Sequence, residues 1–329
     1  MVILAAGDVE MGRAMGQKLL REPAFNPFTT VASLLSNADV RFANLEGPLS
    51  EQGGETTSRS NGLIFTGPPV GADALARGGF TVVSTANNHA WDYGERALGE
   101  TIANLDRVGV RHAGTGSTLE EAWRPAVVEV GARHVAFIAA TDVWNFGPLA
   151  AHPASAHVAA ADPDEIARAV TAARALPGVD AVIASVHGGY EYVDTPSPRM
   201  VAIAHAAIDA GASAFVGHHP HVIQGVEWYR GRPVFYSLGN LLMQMHKDHE
   251  WTGWGLFARI VLEPGGDVSR ADACPYRIFG LAPLPLAGDP AAAALQGVFF
   301  AHLRAVSAAV GRVKIATPAD DGCARIDPA

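Results

Sequence analysis

Ala181-Val182-Ile183-Ala184-Ser185-Val186 is an apolar run of strand length, and His187 follows it at once. A helix-length segment, Pro198–Ala210, comes next, and a second apolar run, Ala214-Phe215-Val216, then leads into Gly217-His218-His219-Pro220-His221. Strand, helix, strand is the repeating unit of an α/β fold. Runs of the same kind recur upstream at Val2–Ala6, Asp39–Ala43, Thr81–Ser84 and His134–Ala140, several of them separated by helix-length segments. The alternation predicts a layered α/β architecture. Helices are expected over Arg13–Leu20, Glu95–Val108, Pro163–Leu176, Pro198–Ala210 and Ala291–Val310. The third has the clearest boundaries: Asp162 can cap it, Pro163 suits its first turn, Glu165 supplies a capping-box acid, and Pro177-Gly178 stops it. From Val226 onward, strands at Val226–Tyr229, Pro233–Ser237 and Gly255–Leu262 follow one another closely, which predicts a partly antiparallel second half. Ser50–Asn61 and His246–Trp254 read as exposed loops able to act over a site. With no repeat and no linker, residues 1–329 read as one domain: motifs in 1–242, closing strands and a helix in 243–329.

The chain has 329 residues, 49% hydrophobic and 17% charged, the profile of a folded globular protein with a substantial core. Its 33 acidic and 24 basic side chains leave a net charge of −9. That balance works against the phosphate attraction behind nucleic-acid binding, so no nucleic-acid partner is expected. The two cysteines, Cys274 and Cys323, are far apart and predict neither a disulfide framework nor a paired-thiolate metal site. Val2–Ala6 is too short for a signal-peptide core and lacks a basic segment before it. No apolar stretch approaches the ~20 residues of a membrane span. The expectation is a cytoplasmic protein with no membrane anchor in this chain.

Side chains of metal-ligand type stand where the apolar runs end. Asp8 follows the first run, Asn44 and Glu46 the second, Asn87, Asn88 and His89 the third, His187 the run at Ala181, and His218, His219 and His221 the last. In open α/β sheets that edge is where ligands bind. His219 and His221 stand at i and i+2, on one face if the backbone is extended, and Pro220 biases His219 toward that conformation. With His187 they would form a nitrogen-rich nest for a divalent transition metal. Asp8 and Glu46 add hard oxygen ligands, and Asn88 a neutral carbonyl. Six such groups exceed the four of a closed zinc site, so either two metals share a bridging carboxylate or one is held with spare ligands nearby. Two ions bridged by Glu46 are expected, from among Mn, Zn, Fe and Co. A single histidine after a strand is ordinarily a hydrogen-bonded residue and no ligand, and His112, His134, His152, His157, His205 and His302 read that way. His218 is expected to point to the opposite face and is left out of the ligand set.

Gly7-Asp8-Val9-Glu10-Met11-Gly12-Arg13, Asn44-Leu45-Glu46, Ala86-Asn87-Asn88-His89-Ala90-Trp91-Asp92-Tyr93-Gly94, His187-Gly188-Gly189-Tyr190-Glu191-Tyr192, Gly217-His218-His219-Pro220-His221-Val222-Ile223-Gln224 and Tyr236-Ser237-Leu238-Gly239-Asn240, in this order, resemble the CapA-type family. That family is named for poly-γ-glutamate capsule synthesis and looks like a branch of the calcineurin-like metallophosphoesterase superfamily. The resemblance covers most of Val2–Leu242 and is highly specific. It implies a four-layer α/β/β/α sandwich of the metallophosphoesterase type, with mixed sheets and the metals at the edge of two packed sheets. By analogy, Asp8 and His221 would hold one metal, Asn88, His187 and His219 the other, and Glu46 would bridge them where phosphoesterases usually have Asp. His89 matches the superfamily's leaving-group histidine, which Asp92 would orient. The superfamily's usual His two positions after the first Asp is replaced here by Glu10, either a further ligand or a solvated loop residue. Arg13, Asn44, Glu191 and Asn240 fall in matching motifs and are expected to face substrate, Arg13 as a fork for carboxylate or phosphate. Asn44 and Asn240 fit turn-closing roles equally well.

These readings converge on a soluble metal-dependent hydrolase that uses metal-activated water on a small anionic phosphoester or a γ-glutamyl or peptide-like amide, with His89 as general acid. The alternative is a non-catalytic or accessory component of poly-γ-glutamate capsule assembly. Members of the family often carry a membrane anchor, and its absence from this chain favours the enzyme. A binding module with a structural metal is disfavoured, because such sites tend to be closed and Cys-rich.

Overall fold

Alternation along the first strand sets the layers. Ile3 and Ala5 of β1 (Val2–Val9) pack into one buried cluster, while Leu4 and Ala6 pack into another on the opposite face. A strand buried on both faces belongs in the interior of a layered structure. The computed structural model describes residues 1–145, 147–243, 245, 249–287 and 290–329. Residues 246–248 of the expected loop at His246–Trp254 lie outside the described residues. The further strands are β2 (Val40–Leu45), β3 (Val82–Ser84), β4 (Arg111–Ala113), β5 (Ala126–Val130), β6 (Arg133–Thr141), β7 (Val179–His187), β8 (Ala214–His218), β9 (Val226–Tyr229), β10 (Arg232–Phe235), β11 (Asn240–Leu242), β12 (Trp254–Leu262), β13 (Val268–Phe279), β14 (Ala282–Pro285), β15 (Val313–Ile315) and β16 (Ala324–Pro328).

They form two mixed sheets. The first runs β15-β16-β13-β12-β1-β2-β3-β4, with β11 on β1 and β14 on β13; the second runs β5-β6-β7-β8-β10-β9. β1 through β4 pair in parallel, as do β6, β7 and β8, whereas β12, β13, β15 and β16 are antiparallel. Between the sheets lies a shared core in which Phe42 of the first stacks on Phe137 of the second at 5.2 Å. Helices at Arg13–Arg21, Ala32–Ser36 and Val70–Arg77 cover the outer face of the first sheet through Met15, Leu19, Leu34 and Leu75. Helices at Pro163–Arg174 and Pro198–Asp209 cover the second through Ile166, Val170, Ile203 and Ala207. This is the four-layer α/β/β/α sandwich. Asp162 caps Pro163–Arg174 by accepting from the backbone N–H groups of Asp164 and Glu165.

One expectation is overturned: Cys274 and Cys323 form a disulfide. Pairing of β13 with β16 sets Ala273 opposite Ala324 and so brings the two cysteines together across a sequence separation of 49. Closing a loop of that length removes unfolded-chain entropy worth about 4 kcal/mol. Such bonds persist in oxidising compartments and are rare in the cytosol. Among the described residues, no helix is long and apolar enough to cross a membrane.

Candidate metal centre

Strand register assembles the site. Asp8, near the end of β1, stands opposite Asn44 of β2 and Asn240 of β11. The backbones approach closely here: a Cβ on Gly7 would lie 1.9 Å from the Gly239 carbonyl oxygen, and one on Gly217 would lie 2.0 Å from that of Tyr236. Only glycine fits at either position. Asp8 is fully buried and accepts from Asn44 Nδ2 at 2.8 Å and from the His219 backbone N–H at 3.2 Å. Burial pushes its carboxyl up, but His218 and His221 beside it, with His187 nearby, hold it well below the usual carboxylate range.

Glu46, one residue beyond β2, is also buried, and neither of its carboxylate oxygens has a hydrogen-bond partner. Its Oε1 lies 3.7 Å from His221 Nε2, 3.8 Å from His89 Nε2 and 4.0 Å from His187 Nε2. Burial pushes this carboxyl well above its ordinary value; His221 opposes the shift, and Asp8, Glu10 and Glu191 add to it. An ionised carboxylate stripped of water and given no donors is costly unless a cation meets it. Two ligand atoms each bound to one ion at about 2.1 Å sit about 3–4.2 Å apart. The spacing of Glu46 from His221 and His187 is therefore that of donors sharing a divalent ion. Asp8, Glu46 and His187 offer ligand atoms within 4.8 Å of one another, and so do Glu191, His219 and His221.

The imidazoles converge, though by a different route from the one expected. His219 and His221 have φ of 97° and 57°, in the left-handed region, so the backbone is not extended across them. β8 ends at His218, and the strained turn beyond it sets the two ring centroids 5.9 Å apart, with His187 and His219 at 4.8 Å. His218 does not point away: its Nδ1 lies 3.4 Å from Asp8 Oδ1, and its ring packs against Phe42. Burial, then the neighbouring His219, holds His187 well below the ordinary imidazole value; burial and His221 depress His219 to about 3. Both are neutral, the form a metal binds. Burial opposes charge on His221, but Glu46 and Asp8 outweigh it and raise this ring to about 9. Asn240 Oδ1 lies 2.9 Å from His221 Nδ1, and as an acceptor it fixes the proton there, leaving Nε2 toward Glu46.

Asn88 Oδ1 lies 2.7 Å from His187 Nε2, and Asn88 Nδ2 donates to Asn145 Oδ1 at 2.8 Å, which turns the amide oxygen into the site. Asn145, in the loop after β6, carries no motif that could have marked it. His89 Nδ1 lies 2.9 Å from Asp92 Oδ2, which also accepts from the Phe65 backbone N–H. The Phe65 ring sits 4.3 Å from the His89 ring and 4.3 Å beneath the Arg13 guanidinium.

Of the two readings of Glu10, the solvated one fails. Its side chain is 3% exposed, one oxygen lies 3.2 Å from Arg13 Nη1, the other has no partner, and burial raises the carboxyl to about 7. Asn44 and Asn240 do not face substrate either, being fully buried behind Asp8 and His221. Arg13 and Glu191 line an open cleft of 510 Å³ together with Glu46, His89 and His221. Ser50–Asn61 anchors to the first helix by donation from the Arg13 backbone N–H to Thr56 O at 2.9 Å, and Gly62, Leu63 and Phe65 just beyond it form the cleft wall. Two of the histidines read as ordinary have local partners: His205 pairs with Glu227 at 3.0 Å, and His302 stacks on Trp251.

Residues 2–245 match the family described as Bacterial capsule synthesis protein PGA_cap. The chain belongs to that family. It is 32% identical over 251 residues to the capsule biosynthesis protein CapA of Bacillus anthracis, covering 75% of this chain and 59% of that protein. To the PGA biosynthesis protein CapA of Bacillus subtilis it is 30% identical over 286 residues, 86% of this chain and 73% of that one. Among solved structures, the sulfate thiohydrolase SoxB of Thermus thermophilus in complex with glycerol aligns with a TM-score of 0.47 and 14% identity, over 94% of this chain and 60% of that chain. All six ligand-type residues fall within the PGA_cap match. Thr252, whose carbonyl accepts from Asn240 Nδ2 at 3.0 Å, lies beyond it.

Proposed function

We propose that this PGA_cap chain is a metal-dependent hydrolase holding two divalent ions, from among Mn, Zn, Fe and Co, between Asp8, Glu46, Asn88, His187, His219 and His221. The observation that carries the reading is Glu46: a buried carboxylate with two unpartnered oxygens, aimed at three imidazoles. Bound divalent ions supply Lewis-acid polarisation of the scissile group and lower the pKa of water toward ~7. The chain's own residues do the rest. Asp92 holds His89 through Nδ1, so that Nε2 faces the cleft and can pass a proton to the leaving group. Phe65 packs on that ring and on Arg13, fixing both. Arg13 presents its guanidinium to an anionic group of the substrate.

The substrate class is a small anionic phosphoester or a γ-glutamyl or peptide-like amide; the relatives' capsule names favour the amide. The same names support the second reading, an accessory part in capsule assembly. The Cys274–Cys323 bridge supports placing either role in an oxidising compartment. Metal-loaded protein is expected to hydrolyse a model phosphoester or a γ-glutamyl anilide, and chelator-treated protein neither. Failure on both substrates by protein shown to hold metal would leave the assembly role.

The raised His221 makes uptake of metal pH-dependent. At pH 7 this ring carries a proton, since its value stands at about 9, and a ligating imidazole must be neutral. Binding therefore expels a proton, and apparent affinity should rise with pH up to about 9 and fall as pH drops. Calorimetric titration with Mn²⁺ in two buffers of different ionisation enthalpy measures the release. Enthalpies independent of buffer would exclude His221 from the ligand set.

A further inference from the structure

Glu191 stands apart from the other acids of the centre, in that its side chain is exposed and lies on the cleft surface. Its ligand atom falls within 4.8 Å of those of His219 and His221. We infer that Glu191 is itself a metal ligand, completing with His219 and His221 a two-histidine, one-carboxylate set for the ion nearer solvent. The inference rests on the metal-binding reading above, changes the role of Glu191 from contacting substrate to holding the cation, and places on one ion the two histidines that the resemblance divides between two.

Three observations carry it. First, His219 is 7% exposed and its Nδ1 has no hydrogen-bond partner, so a buried nitrogen is left unpaired on a residue whose ring reaches within 4.8 Å of the carboxylate. Buried polar atoms are almost always satisfied, and an unpaired ring nitrogen suits a cation. Second, the backbone holds the three groups together at a cost. Tyr192, His219 and His221 have φ of 62°, 97° and 57°. The Tyr192 N–H donates to Pro220 O at 2.8 Å, tying the residue after Glu191 to the turn between the two histidines. Non-glycine residues in that region persist where the surroundings over-determine them, often at ligand clamps. Third, charge is unbalanced: Glu46 and Glu191 share the cleft lining, Asp8 and Glu10 lie behind it, and Arg13 is the only lysine or arginine among the lining residues described. Two carboxylates drawn to one pocket repel unless cations lie between them. Two nitrogens and one carboxylate oxygen leave open positions on a first-row divalent ion, as a hydrolytic site requires.

The test is Mn²⁺ titration of the full chain and of Glu191→Gln, followed by calorimetry and by the electron paramagnetic resonance signal of free Mn²⁺. Because Glu191 is exposed, the variant should fold as the wild type does, which circular dichroism checks. Two classes of site are expected in the wild type, with one weakened by at least about tenfold in the variant and the other unchanged. A variant that binds Mn²⁺ with wild-type stoichiometry and affinity overturns the role of Glu191 while leaving the hydrolase reading intact. A wild type that binds no Mn²⁺ overturns both.

Discussion

His89→Ala is expected to hold metal as the wild type does and to turn over substrate roughly 10²- to 10⁴-fold more slowly, the range for losing a positioned general acid. The ring is 8% exposed, anchored through Nδ1 to Asp92 and packed on Phe65, with Nε2 facing the cleft 3.8 Å from Glu46. Its distance from the carboxylate resembles that of His221, but its anchoring does not: His221 Nδ1 is held by Asn240, with Asp8 at 3.5 Å, and Asp92 holds His89 instead. The loss should therefore fall on kcat, with metal content unchanged. His89→Gln keeps more of the side-chain volume and should be equally slow, which separates the missing proton from a packing defect. A fully active His89→Ala would remove the residue from the mechanism.

Glu46→Gln should reverse its ranking against the wild type when metal is added. In metal-free protein the Glu46 carboxyl is raised well above its ordinary value by burial. The folded state then binds a proton that the unfolded state has released, so metal-free wild type loses stability as pH rises above about 4.5, the unfolded value the shift starts from. Glutamine does not ionise, so metal-free Glu46→Gln should lack that fall and gain stability relative to the wild type as pH rises from about 4.5 to 7. Metal at a hundredfold excess over its dissociation constant adds about 2.7 kcal/mol to a protein that binds it only when folded. The wild type should gain at least that, and the variant much less. Thermal melts with and without Mn²⁺ measure both halves; equal gains would exclude Glu46 as a ligand.

What could be read from the chain follows physical lines. β1, β2, β3 and β7 are buried on both faces, so their apolar runs are unbroken, and Asp8, Glu46, Asn88 and His187 stand out where those runs stop. β13 left no such signal, because Arg270, Asp272, Pro275 and Arg277 interrupt it and Asp272 is buried in ion pairs with Arg259 and Arg270. Without β13 and β16 the nearness of Cys274 to Cys323 could not be foreseen. The fault at His219 and His221 was local: an extended backbone was assumed across a turn in which both residues lie at positive φ. Asn44 and Asn240 were found by motif but left open between a substrate-facing and a structural role, since motif membership does not say whether a side chain faces the cleft or props up a neighbour. Asn145 acts through one hydrogen bond across 57 residues, a contact only the folded chain reveals.

The most direct measurement is metal content per chain, by mass spectrometry on protein purified without chelators and again after incubation with manganese or zinc. About two equivalents are predicted for the wild type, falling in Glu46→Gln. No metal under either condition would contradict the account at its centre, since the unpartnered Glu46 carboxylate would then meet no cation.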